Sequence, residues 1–282
     1  MLITGAGGML GLDVEAAAQA AGHEVVALAR AELDITDSAA VLAATSQAAP
    51  DVVINCAAYT RVDDAESDRA GAAAVNAHGA AHIARACAAG GAWLVHISTD
   101  YVFDGAGANG PYLESDPTGP ISVYGQTKLA GEEAIRGILP DAHTIVRSSW
   151  LFGTGGPCFP ATILRLAAER TELSVVDDQR GCPTYTPDLA RALIGLAGRR
   201  VAGTVHVAGG GECTWFEFAR AIIRGSGSRT VVNPCSTEDF PRPAPRPAYS
   251  VLRTERADAP VLRDWREALA EYLEAIHVEV SA

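Results

Sequence analysis

The sequence predicts an α/β protein: a doubly wound parallel sheet of the Rossmann kind with a smaller α/β substrate-binding domain. Three observations lead there. Short apolar runs alternate with Ala-rich helical stretches through the first 150 residues, the β-α-β rhythm that builds parallel sheets. The runs are nearly continuous in apolar residues, as strands covered by helices on both faces are. A glycine triplet sits between the first run and the first helical stretch, where such folds approach nucleotides.

In chain order, strands are expected at Leu2–Thr4, Glu24–Leu28, Val52–Cys56, Trp93–Ser98 and Thr144–Ser148, with helices near 11–21, 38–48, 70–89 and 122–137. Only three residues precede Thr4, which makes the first strand short. After Trp150 the rhythm loosens. Thr186-Pro187 reads as an N-cap followed by Pro at the first helical position. Thr214 and Glu217 have capping-box spacing ahead of Phe218–Ile223, and an amphipathic helix is expected over about 261–277. Residues 1–150 would form a dinucleotide-binding domain to which about 172–208 return, and 151–282 mainly a substrate-binding domain.

Composition narrows the class of partner. The chain has 282 residues and a net charge of −12, against a phosphate-backbone ligand, which needs a basic face. No apolar run reaches the ~18 residues of a membrane span, and the first residues lack a charged signal-peptide start. The expectation is a cytoplasmic protein with neither nucleic acid nor membrane as partner. Nearly all the excess acid lies in residues 1–150, whereas 239–256 carries four arginines against two acids. That segment is the better host for an anionic ligand. Six cysteines lie far apart with no C-x-x-C pair, as reduced, buried thiols do. His78 and His82 are four apart on an expected helix, but no third residue completes a metal set.

Gly5, Gly8 and Gly11 stand at i, i+3 and i+6 where the first strand meets the first helix. A tight turn, close backbone approach to pyrophosphate and helix N-terminal amides facing negative charge all ask for that pattern. The second strand runs into Arg30, with Glu32 two positions later. An arginine there can pair with a 2′-phosphate, which favours NADPH, with NADH tolerated.

Tyr124 and Lys128 stand four apart, on one face of a helix. A free phenol has a pKa of about 10, and a nearby ammonium pulls it toward working pH. Lys128 is the only lysine in the chain; every other basic residue is arginine. Arginine's planar fork does not replace a compact ammonium that also bonds a ribose diol. Ser98, Thr99 and Asp100 fall at the carboxyl end of the fourth strand, where parallel sheets bind ligands. A hydroxyl there can bond a carbonyl oxygen as it gains charge.

With these residues in place, the chain resembles the extended short-chain dehydrogenase/reductase superfamily, and within it the dTDP-4-dehydrorhamnose reductase family. The matching blocks run through nearly the whole chain: Gly5–Gly11, Asn55–Glu66, Ser98–Phe103, Tyr124–Glu132, Arg147–Trp150, Asp178–Thr184 and Arg246–Ser250. The resemblance implies reduction of a C4 keto sugar, with Tyr124 giving the proton, Lys128 holding the nicotinamide ribose and Thr99 assisting. It implies that Gly8, Met9, Leu10, Ala58, Tyr59 and Thr60 line the cofactor, with Asp34 and Ile35 under the adenine. Thr99, Asp100 and Trp150 would meet the sugar and Arg246 the phosphates of a dTDP-sugar. Some members bind magnesium through glutamates at a dimer interface. Here Asp13 and Asp188 stand at those positions, and their shorter reach speaks against both the metal and that dimer, leaving monomer or homodimer open. A 4,6-dehydratase is disfavoured, because Thr99-Asp100 is followed by Tyr101 rather than Glu. The rival readings are a 4-ketoreductase of another dTDP-deoxysugar and a non-catalytic nucleotide-binding subunit.

Overall fold

Short strands line up in parallel because the chain crosses back over the sheet, mostly through a helix, after each one. The computed structural model describes residues 1–107 and 110–276, with the backbone of 277–281. The strands β1 (Leu2–Thr4), β2 (Val26–Leu28), β3 (Val52–Asn55), β4 (Trp93–Thr99) and β5 (His143–Ser148) are joined by a last strand, Gly203–His206. Their spatial order is Gly203–His206, β5, β4, β3, β1, β2, and every pairing is parallel. β1 is short but interior, bonded on both sides and wholly buried. The chain leaves β1 for β2 on one side and later adds β3 on the other. Ligand crevices open at such a switch point.

Helices α1 (Met9–Ala20), α2 (Ser38–Ala48), α3 (Val62–Ser67), α4 (Arg69–Ala73), α5 (Ala80–Gly90) and α6 (Val123–Ile138) fill the connections. Alternation along each strand sends neighbours to opposite faces. Ile3, Ile54 and Val146 join one core, and Leu2, Val53 and Ile145 the other. Further helices follow: α7 (Phe159–Glu169), α8 (Thr186–Arg199), α9 (Trp215–Ser226) and α10 (Trp265–Ser281). Leu189, Leu193 and Leu196 carry α8 back into the first core, against α1. A separate core of Phe152, Ile163, Phe218, Ile222, Trp265 and Leu269 gathers under α7, α9 and α10. Among the described residues no helix is long and apolar enough to cross a membrane.

Three local readings are revised. The helix expected over 70–89 is interrupted by a π-helical turn, Ala74–Gly79, which turns the buried Asn76 onto the loop after β3. Thr186 is not the cap but the first residue of α8; Tyr185 stands at the cap, and the Thr186 hydroxyl bonds Phe152 O at 3.3 Å. The final helix starts at Trp265, because a bridge between Gly210 and Asp264 keeps the preceding residues extended. The capping box at Thr214 and Glu217 is formed by both reciprocal bonds.

Candidate active site

The carboxyl ends of the strands open into a cleft of about 940 Å³. Its floor is the glycine loop. Gly5 takes φ +71°, and a Cβ there would lie 2.5 Å from Ala57 N; a Cβ on Gly11 would lie 2.3 Å from Gly5 O. Gly8 caps α1 without a side chain, which leaves the first-turn amides facing the cleft, the arrangement that attracts phosphate. Gly5, Gly8, Met9, Leu10, Gly11, Arg30, Asp34, Ile35, Ala58, Tyr59 and Thr60 all line it. The Asp34 carboxylate fixes its turn through Thr36 N and Oγ1 at 2.9 and 2.8 Å, and His82 Nδ1 stands 3.0 Å from Ile35 O. Asn76 clamps Tyr59, accepting from its N–H at 2.8 Å and donating to its carbonyl at 3.1 Å. Gly11→Ala is expected to weaken dinucleotide binding by about tenfold or more, roughly 1.4 kcal/mol, in a fluorescence titration. Unchanged affinity would show that the loop adapts.

Tyr124 reaches the cleft because α6 presses on the Asp100–Val102 turn. A Cβ on Gly125 would lie 2.1 Å from Tyr101 O, so no other residue permits that approach. Ser122 caps α6, accepting from Gly125 N at 3.2 Å. Tyr124 and Lys128 then both line the cleft with Thr99 and Asp100. Burial pushes the Tyr124 phenol up to about 12, against a lowering contact from the Thr99 hydroxyl. Lys128 follows Tyr124 by one turn of α6. Its Nζ lies 2.6 Å from Ile97 O and 3.4 Å from His96 Nε2, and burial brings the Lys128 pKa down to about 8. Burial likewise lifts the Asp100 carboxyl to about 6, while Ser250 and Thr99 pull the other way.

Behind β4 lies a buried ionic cluster that the sequence motifs contain but do not announce. Arg147 grips Glu132 with two bonds, Nε to Oε1 at 3.0 Å and Nη2 to Oε2 at 2.8 Å. Ser98 Oγ donates to Glu132 Oε1 at 2.5 Å, and Arg136 Nη2 to Oε2 at 2.6 Å. Ser98, and with it Thr99, is thus tied to α6 through its side chain. On the opposite wall Trp150 takes a left-handed backbone, φ +48°, uncommon outside glycine. Its ring stacks on Trp215 at 3.5 Å between centroids.

Trp215 and Ser148 line the cleft too, and neither was singled out from sequence. Trp215 follows the Thr214 cap, so the capping-box signal located it without showing what it faces. Ser148 Oγ is buried with no hydrogen-bond partner among the described residues. Arg246, expected at the ligand phosphates, does not line the cleft. Its Nη1 bonds Asp63 Oδ1 at 2.9 Å and Ala244 O at 2.9 Å, fastening the Pro-rich segment to α3. Asp188 is held by Arg191 and Arg263, while burial raises the Asp13 carboxyl. Among the described residues no group of His, Cys, Asp or Glu is arranged to hold a metal ion.

Comparison with known proteins follows the same line. Residues 1–278 match the family model described as the RmlD substrate binding domain. A dTDP-4-dehydrorhamnose reductase of Streptomyces griseus is 48% identical, covering 98% of this chain and 93% of its own length. A dTDP-4-keto-6-deoxy-D-glucose reductase of Streptomyces niveus is 40% identical, covering 99% and 98%. The crystal structure of dTDP-4-dehydrorhamnose reductase from Bacillus anthracis in complex with NADP aligns with a TM-score of 0.94 at 38% identity, over 97% of this chain and 98% of that one.

Proposed function

The chain belongs to the dTDP-4-dehydrorhamnose reductase family, and on that premise we propose that it reduces the C4 keto group of dTDP-4-dehydro-L-rhamnose with NADPH to give dTDP-L-rhamnose. The observation that carries this reading is one continuous cleft. Uncapped α1 amides line it together with a proton-bearing phenol, Thr99 and Asp100. NADH would serve as a weaker alternative. Residues 1–150 with the returning α8 would hold the dinucleotide, and the part built on α7, α9 and α10 the nucleotide sugar.

The residues present suit the dinucleotide. Gly5 and Gly11 leave room where side chains would fill the loop, Gly8–Leu10 offer amides to the pyrophosphate, and Ile35 lines the same cleft for the adenine. Arg30 stands at the rim for a 2′-phosphate. When bound, the cofactor supplies hydride. This chain's own work is at the keto oxygen. A phenol held near 12 keeps its proton throughout the neutral range, as a donor to a carbonyl must. Tyr124 gives that proton to the oxygen while the Thr99 hydroxyl shares the developing charge. Asp100, Ser148 and the Trp150 ring orient the sugar.

Two measurements test this reading. NADPH oxidation should be fastest with dTDP-4-dehydro-L-rhamnose within a small panel of dTDP-4-keto sugars. The relative named for dTDP-4-keto-6-deoxy-D-glucose makes that sugar the main competitor, and faster turnover of it would reassign the substrate. Arg246→Ala separates two roles for that arginine. An anchor of the 239–256 segment predicts a modest rise in KM, about threefold, matched by Asp63→Ala. A direct phosphate contact predicts a rise of about tenfold or more for Arg246→Ala alone.

A further inference from the structure

Three neighbouring strands present one buried polar residue each at the same level of the sheet. Thr4 pairs with Asn55 across β1 and β3, and Asn55 with His96 across β3 and β4. Exposure is 0% for Thr4, 1% for Asn55 and His96, and 2% for Lys128, which α6 sets against them. The side chains join into one line. Thr4 Oγ1 donates to Asn55 Oδ1 at 2.8 Å, Asn55 Nδ2 lies 3.0 Å from His96 Nδ1, and His96 Nε2 lies 3.4 Å from Lys128 Nζ.

The direction of each bond can be read. Ala57 N–H also donates to Asn55 Oδ1, at 3.1 Å. A backbone amide only donates, so Oδ1 is the acceptor and the Asn55 amide hydrogens face the imidazole. His96 Nδ1 must then offer its lone pair, and a neutral ring carries its hydrogen on Nε2. That hydrogen points at Lys128 Nζ, which also donates to Ile97 O at 2.6 Å. A neutral amine satisfies both contacts, accepting from His96 and donating to Ile97. An ammonium has no lone pair and would set donor against donor.

We infer that Thr4, Asn55 and His96 form a positioning relay that fixes the His96 tautomer and, through it, favours Lys128 as a neutral amine at this position. Burial and the neighbouring lysine hold the His96 pKa well below its ordinary value, which keeps the ring neutral. Burial brings Lys128 down to about 8, and the facing Glu132 and Cys56 act in the opposite sense. Tyr124 stands one turn back on the same helix, with Asp100 beside it. The only lysine is therefore tuned to gain or give a proton near neutrality, beside the phenol that is emptied at each turnover. That last consequence rests on the proposed reduction; the tautomer and the lysine titration do not.

Composition makes the test direct. With a single lysine in the chain, protein grown on lysine carrying ¹³C at its ε position shows one ε resonance. The wild-type midpoint is expected about two units below the ordinary value of about 10.4, and ¹⁵N-labelled histidine should report His96 as the neutral Nε2–H form at pH values above that midpoint, where the lysine is an amine. A midpoint near 10, an Nδ1–H tautomer or an imidazolium would overturn the relay without any variant. Asn55→Asp supplies only acceptors, draws the hydrogen to Nδ1 and leaves Nε2 to accept from an ammonium. The midpoint should rise by about one unit or more. The same substitution in a His96→Gln background adds the charge without a tautomer to switch, and there the rise should be smaller. Equal rises would mean charge alone acts, and the relay would fall. NADPH oxidation in the same samples speaks only to the proposed activity, so the two failures stay distinct.

Discussion

Tyr124→Phe is expected to bind NADPH as the unsubstituted protein does and to lose turnover by about 10²-fold or more. Removing a positioned acid costs that much in general acid catalysis. The phenol ring packs against Tyr101 edge-on at 5.7 Å between centroids, and phenylalanine keeps that contact, so the loss should fall on kcat rather than on folding. The expected pattern is kcat and kcat/KM falling together, the mark of an interaction made in the transition state. Near-normal turnover would remove Tyr124 from the acid role and leave Thr99 or a water as donor.

Arg147→Leu is expected to cost about 3 kcal/mol or more of stability. Glu132 is wholly buried, Arg147 is 3% exposed, and taking away one partner strands the other in the interior. Burial alone would raise the Glu132 carboxyl, but Arg147, Ser98 and Arg136 together hold it below its ordinary value. Arg136 remains after the substitution, which places the cost at the lower end of the range for buried pairs, about 3–5 kcal/mol. The pH dependence has a fixed sign. Because the folded carboxyl pKa is depressed, its contribution is complete above the unfolded value of about 4.3 and fades as pH falls through the lower folded value. Urea unfolding checks this: the midpoint should drop with the slope unchanged. A shift under about 1 kcal/mol would mean that Arg136 alone compensates the charge.

These two residues also mark where sequence reading is strong and where it stops. That Tyr124 and Lys128 share the cleft is legible because a four-residue spacing puts both on one face of α6, and the pattern of Gly5, Gly8 and Gly11 because a turn imposes it. The sheet is legible because strands buried on both faces leave apolar runs. What depends on distant parts meeting leaves no local trace. Arg246 finds Asp63 across the fold, and Trp215 reaches Trp150 from another helix. The π-helical turn at Asn76 looks like ordinary helix in sequence, because its purpose is a contact with Tyr59. The lone lysine is legible from composition. Its neighbour His96 is not legible that way, because only the register of β1, β3 and β4 brings Thr4, Asn55 and His96 into one line.

Isotope transfer follows the hydride from the cofactor to the sugar carbon. NADPH deuterated at the transferable position of its nicotinamide ring should be incubated with dTDP-4-dehydro-L-rhamnose and the product examined by NMR. The expected product is dTDP-L-rhamnose with one deuterium, at C4 of the sugar, and none with Tyr124→Phe on the same timescale. Deuterium at another carbon, or NADPH oxidised without label in the sugar, would contradict it.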